Sequence, residues 1–161
     1  VSQRSARTTA LSAALALALA GCGATGEPQV RVAGDAQAAE PVAGSSQIVL
    51  ELHNDGDGDD TLVESTTPAA LGVEFHLTSI EDGRASMGEL QEVEVPAGES
   101  VRFRPGGLHL MMVVPDETVV LGERFELTLA FERSEPMTID VEVVDLLDLA
   151  EATFDEQEAE S

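Results

Sequence analysis

The stretch Pro105-Gly106-Gly107-Leu108-His109-Leu110-Met111-Met112 joins a tight turn to an apolar run that carries one imidazole and two thioethers. Read as a strand, its side chains alternate between two faces. Leu108, Leu110 and Met112 then face a core, while His109 and Met111 face outward with Cα atoms roughly 7 Å apart. A His and a Met left on the outer face of a strand read as half of a site for a soft metal ion.

The same two-residue period runs outward in both directions. Ile48, Leu50 and Leu52 alternate with Val49, Glu51 and His53, and Val73, Phe75 and Leu77 alternate with Glu74, His76 and Thr78. Leu90 to Val95 reads as one short strand closed by Pro96-Ala97-Gly98. Val101 and Phe103, then Phe125 to Phe131, then Met137 to Val143 repeat the pattern. Turn chemistry at Asn54–Asp60 and at Glu81-Asp82-Gly83 separates the runs. About seven or eight short strands at this spacing predict an all-β antiparallel sandwich or small barrel.

Composition narrows the function. The chain has 161 residues, with 8 Arg and Lys against 31 Asp and Glu, a net charge of −23. Phosphate neutralisation needs a basic surface, so nucleic acid is not an expected partner. Trp and Tyr are absent, which removes stacking platforms. The single Cys, Cys22, permits no intrachain disulfide.

The N-terminal part reads as an address. Arg4 and Arg7 precede an apolar run, Ala10 to Ala20, that is too short to span a bilayer as a helix but suits a signal-peptide core. The run ends Leu19-Ala20-Gly21-Cys22, which resembles the bacterial lipoprotein box. That resemblance implies cleavage before Cys22, a lipid on its sulfur and an extracytoplasmic, membrane-anchored protein. The expected organisation is a signal peptide over 1–21, a flexible linker over 22–46, a β domain over 47–149 and an acidic, fraying tail over 150–161. Val30 and Val32 are the only hint of a strand within the linker.

Catalytic signatures fail one by one. The chain has no Gly-x-Ser-x-Gly elbow and no His-Glu-x-x-His, and its Cys belongs to the lipoprotein box. No enzymatic activity is therefore expected. Asp55, Asp57 and Asp59 mimic the start of an EF-hand loop, but Asp60 and Thr66 stand where that loop needs Gly and Glu. A surface turn is the better reading, with His53 solvated beside it.

The soft donors are different. His76 sits on the polar face of its strand, and Met87 lies in the polar context Arg84-Ala85-Ser86-Met87-Gly88-Glu89. Taken singly, each is an ordinary surface residue or gap-filler. Together with His109 and Met111 they give the spacing H-x10-M-x21-H-x-M. Met112 and Met137 alternate into the core and stay outside the set.

This spacing resembles the motif of the periplasmic copper chaperones written PCu(A)C. Gly72-Val73-Glu74-Phe75-His76, Pro96-Ala97-Gly98 and Pro105 to Met111 resemble that family's strand and turn segments, across roughly residues 47–145. The segment after Met87 lacks the basic residue common there. The resemblance implies a cupredoxin-like fold with Cu(I) held by His76, Met87, His109 and Met111. It further implies delivery toward the CuA centre in subunit II of cytochrome c oxidase, alongside Sco-type copper proteins. The donor chemistry agrees, because two thioethers and two imidazoles are neutral and suit a soft monovalent ion. A blue-copper centre would need a Cys thiolate, which the domain lacks. Two other readings remain: a copper-buffering lipoprotein with no dedicated acceptor, and a metal-free adhesion or assembly module.

Overall fold

A computed structural model describes residues 26–81 and 83–149. The signal peptide, Cys22 and the tail from Ala150 lie outside these described residues. Ten strands follow one another: β1 (Val30–Ala39), β2 (Ser45–Asn54), β3 (Asp60–Thr66), β4 (Ala70–Glu81), β5 (Arg84–Leu90), β6 (Val93–Val95), β7 (Ser100–Phe103), β8 (Leu108–Pro115), β9 (Arg124–Phe131) and β10 (Met137–Val144). They form one open sheet in the order β5-β4-β8-β2-β1-β10-β9-β3-β6, with β7 also paired to β2. All pairings are antiparallel except β1 with β10. The fold is the expected all-β, cupredoxin-like architecture.

One core runs through the sheet. Ile48 and Leu52 of β2, Leu110 and Met112 of β8, Leu127 and Leu129 of β9, and Val141 and Val143 of β10 are all buried in it. These are the residues whose alternation marks the strands, and Met112 faces inward as expected.

Three stretches depart from the sequence expectation. The linker read over 22–46 contains β1, which pairs with β2 on one side and β10 on the other. β1 carries Ala33, Ala36, Ala38 and Ala39 rather than branched residues, and its register shifts between Ala33 and Gln37 beside the positive-φ Gly34. Small side chains and an irregularity hide the period from sequence, although Ala36, Ala38 and Ala39 are buried. The β domain therefore begins at Val30, not at 47. The second departure is Leu90 to Val95, which is two strands: Leu90 closes β5 and Val93 opens β6. The third is β3, which follows the aspartate-rich turn and carries few apolar residues.

That turn is a built joint rather than a loose surface loop. Asn54 is fully buried; its side-chain oxygen accepts from the N–H groups of Gln29 and Gly56, and its amide donates to the carbonyls of Gly58 and Val95. Asp60 is buried and accepts from the backbone N–H groups of Thr61, Arg133 and Ser134. Burial pushes the Asp60 carboxyl up, but its hydrogen bonds to Ser134, Thr61 and Arg133 outweigh burial and hold it below the usual aspartate value. The Arg133 guanidinium donates to the carbonyls of Asp59 and Gly26, each at 2.6 Å, and so fastens the N-terminal segment to the joint. His53, expected to be solvated, lies between Ser100 Oγ at 2.9 Å and Asp55 Oδ1 at 3.1 Å.

Candidate metal site on the β5-β4-β8 face

Directly opposed residues of an antiparallel pair share a face. His76 opposes His109 across β4 and β8, and Glu74 opposes Met111. Thr78, two residues on from His76, opposes Met87 across β4 and β5. His76, Met87, His109 and Met111 therefore lie on one face of three adjacent strands. Met87 is diagonal to His76, at a Cα separation of about 7–8 Å by strand geometry.

A break in the β2 partner places His109. β7 pairs with β2 up to Phe103↔Leu50, and β8 resumes at Leu110↔Ile48. Arg104 to His109 loop outward where only Val49 intervenes on β2. The loop turns through Gly106, whose φ of 73° suits glycine. The Gly107 carbonyl then accepts from Thr78 N–H at 3.0 Å and lies 2.9 Å from His109 Nδ1.

The expectation that His109 faces water is corrected here. His109 is fully buried, with the His76 ring set edge-on at a centroid distance of 5.9 Å. His76 retains 14% of its side-chain exposure. Met111 is half-buried, and Met87 on the edge strand is 52% exposed.

The hydrogen bonds fix both tautomers. A carbonyl can only accept, so His109 Nδ1 carries the proton and Nε2 carries the lone pair. His76 Nε2 lies 3.0 Å from Glu74 Oε2 and donates to it, which leaves the lone pair on Nδ1. His109 Nε2 and His76 Nδ1 are both buried and have no hydrogen-bond partner. Such orphaned atoms typically cost about 1–3 kcal/mol each. Burial also pushes the His109 imidazole below its usual range; the Gly107 carbonyl opposes this, and a proton on the neighbouring His76 ring would push the same way as burial.

Two lone pairs and two thioethers thus share one face. No group of three His, Cys, Asp or Glu is placed to hold a metal among the described residues, the aspartate joint included. Imidazole nitrogens and thioether sulfurs are neutral, soft donors in kind. Sequence reading passed over Glu74 and the Gly107 carbonyl, which orient the two rings. The signal for Glu74 was its position two residues before His76 on the same strand face.

Comparison with known proteins places the chain. A family model described as "Putative lipoprotein LpqE-like" matches residues 28–143. The chain belongs to this LpqE-like family. Among curated relatives, "Putative lipoprotein Lxx21020" of Leifsonia xyli subsp. xyli is 28% identical over 96 residues, 59% of the LpqE-like chain and 58% of the relative. The match thus spans a little over half the length of that relative. Among solved structures, the copper-bound PCuAC domain from PmoF2 superposes with a TM-score of 0.61 at 23% identity, covering 72% of this chain and 92% of that one. The Cu(I) form of DR1885 from Deinococcus radiodurans superposes with a TM-score of 0.58 at 20% identity, covering 81% and 83%. The LpqE-like chain has the PCuAC fold.

Proposed function

We propose that this protein is an extracytoplasmic Cu(I)-binding metallochaperone anchored through a lipid on Cys22. Its metal donors are His76 Nδ1, His109 Nε2 and the thioethers of Met87 and Met111. One observation carries the reading: two buried imidazole nitrogens, each left with its lone pair by a partner on the opposite nitrogen, share a face with two methionines at the PCu(A)C spacing. A soft cation would satisfy both orphaned atoms at once. The copper named in the structural neighbours and the lipoprotein name of the family support it.

The exposure of Met87 suits delivery. An ion held partly by a thioether on an edge strand can exchange that ligand for one from an acceptor before the buried imidazoles release it. The acceptor we propose is the CuA centre of cytochrome c oxidase, with Sco-type proteins as companions; no reaction is catalysed.

The test is a competition titration with Cu(I) against a chromophoric chelator, anaerobic and reducing, on the chain from Gly26 onward. One tight equivalent is expected, lost in His109→Ala and weakened in Met87→Ile and Met111→Ile. Uptake that none of these substitutions alters would refute the site. Loss of oxidase activity in a deletion strain is the expected sign of a dedicated acceptor, and intact oxidase with copper sensitivity would replace delivery by buffering.

A further inference from the structure

The sheet fails to close at one seam. β6 pairs with β3 only as far as Leu62, and β5 pairs with β4 only from Phe75 onward. Beyond those points β3 keeps β9 as its ladder partner and β4 keeps β8. A cleft of roughly 150 Å³ opens between the two free edges. A water molecule needs only about 10–15 Å³ by the same measure, so the cleft has room for a side-chain head group.

Its lining is amphipathic. Val63, Val73 and Leu90 supply apolar wall, and Glu64, Glu74 and Glu89 supply carboxylates. Ser65 also lines the cleft; it is 4% exposed, and its Oγ has no hydrogen-bond partner. Apolar walls, carboxylates and an unsatisfied hydroxyl acceptor together match a long basic side chain, whose stem packs while its head pairs. The protein's own C-terminal run, with Glu151, Asp155, Glu156, Glu158 and Glu160, has the wrong charge for this slot.

One of the three carboxylates is already engaged, since Glu74 Oε2 accepts from His76 Nε2. A cation in the cleft competes for that carboxylate. We propose that the cleft receives an arginine or lysine side chain of the metal-accepting protein, and that this side chain draws Glu74 away from His76. The second half rests on the copper reading, because docking then loosens an imidazole that the ion must leave.

The experiment uses the full metal-free chain, labelled with 15N. It is titrated with the blocked peptide acetyl-Gly-Gly-Arg-Gly-Gly-amide and, separately, with its neutral citrulline counterpart. The arginine peptide is expected to shift the amides of Glu64, Ser65 and Leu90 saturably at millimolar concentration, and the His76 ring nitrogens along the same curve. The citrulline peptide leaves both in place, and Glu64→Gln weakens the response several-fold. No saturable shift at the cleft, or an equal response to citrulline, overturns the docking site. Cleft shifts with unmoved His76 nitrogens overturn the link to Glu74. Because no metal is present, failure here leaves the Cu(I) titration standing, and failure there leaves this readout standing.

Discussion

His109→Leu is expected to stabilise the metal-free protein while abolishing its use for copper. His109 is fully buried, makes one hydrogen bond through Nδ1 and leaves Nε2 unpartnered. Removing the ring forfeits a bond worth about 0.5–1.5 kcal/mol and relieves an unsatisfied group costing about 1–3 kcal/mol. The Gly107 carbonyl is not orphaned by the change, because Thr78 N–H still donates to it. The balance is about 1 kcal/mol in favour of the variant, or about 3–5 °C in Tm for a domain of this size. Urea and thermal unfolding of the metal-free proteins measure it. Copper then reverses the order, since Cu(I) at 100-fold over Kd adds about 2.7 kcal/mol to the parent protein and nothing to the variant. A variant less stable than its parent by 1 kcal/mol or more would refute the claim that Nε2 lacks a partner. A variant still stabilised by Cu(I) would remove His109 from the donor set.

Other substitutions probe other parts of the scheme. Asp60→Asn leaves one backbone N–H facing an amide donor and should cost about 2 kcal/mol near neutral pH. The folded-state pKa of Asp60 is depressed, so its contribution is full above the ordinary aspartate value and is lost as pH falls through the lower folded value. The gap between parent and variant in urea midpoint should accordingly narrow in acid, and a gap independent of pH would contradict the assignment. Deleting residues 26–44 removes the strand between β2 and β10 and should abolish cooperative unfolding, as followed by circular dichroism; a sharp transition at the parent's Tm would show β1 to be dispensable. Glu74→Ala frees the His76 ring and should weaken Cu(I) about tenfold, the low end for such supporting contacts because Glu74 is 42% exposed. An unchanged chelator competition would show that the carboxylate does not position the ring.

The strands that sequence displays best are those with one wet face and one buried face. β2, β4, β8, β9 and β10 alternate because a single core takes every second residue. β5 is an edge strand exposed along nearly its whole length, so no core selects alternate residues and it shows no period. β1 is hidden for the opposite reason, since alanines fill its tight position between two neighbours. The four candidate residues stood out because their joint spacing resembles the PCu(A)C motif, and strand alternation already paired His109 with Met111. The burial of His109 was not legible, because it arises where the Arg104–Gly107 loop and His76 meet, and neither lies on its own strand. Glu74 was camouflaged by the abundance of carboxylates, among which only register singles it out.

The Arg133 clamp on Gly26 also sets the length of a leash. A lipid on Cys22 would leave only Gly23, Ala24 and Thr25 between the anchor and the first pinned residue. Fully extended, that stretch reaches about 14 Å. The body would then ride close to the bilayer at a near-constant height, with the aspartate joint held low. On the proposed reading, its search for an acceptor would then be a lateral one, over neighbours embedded in the same membrane. Such an anchor would exchange a shorter radius of action for a higher local concentration of targets.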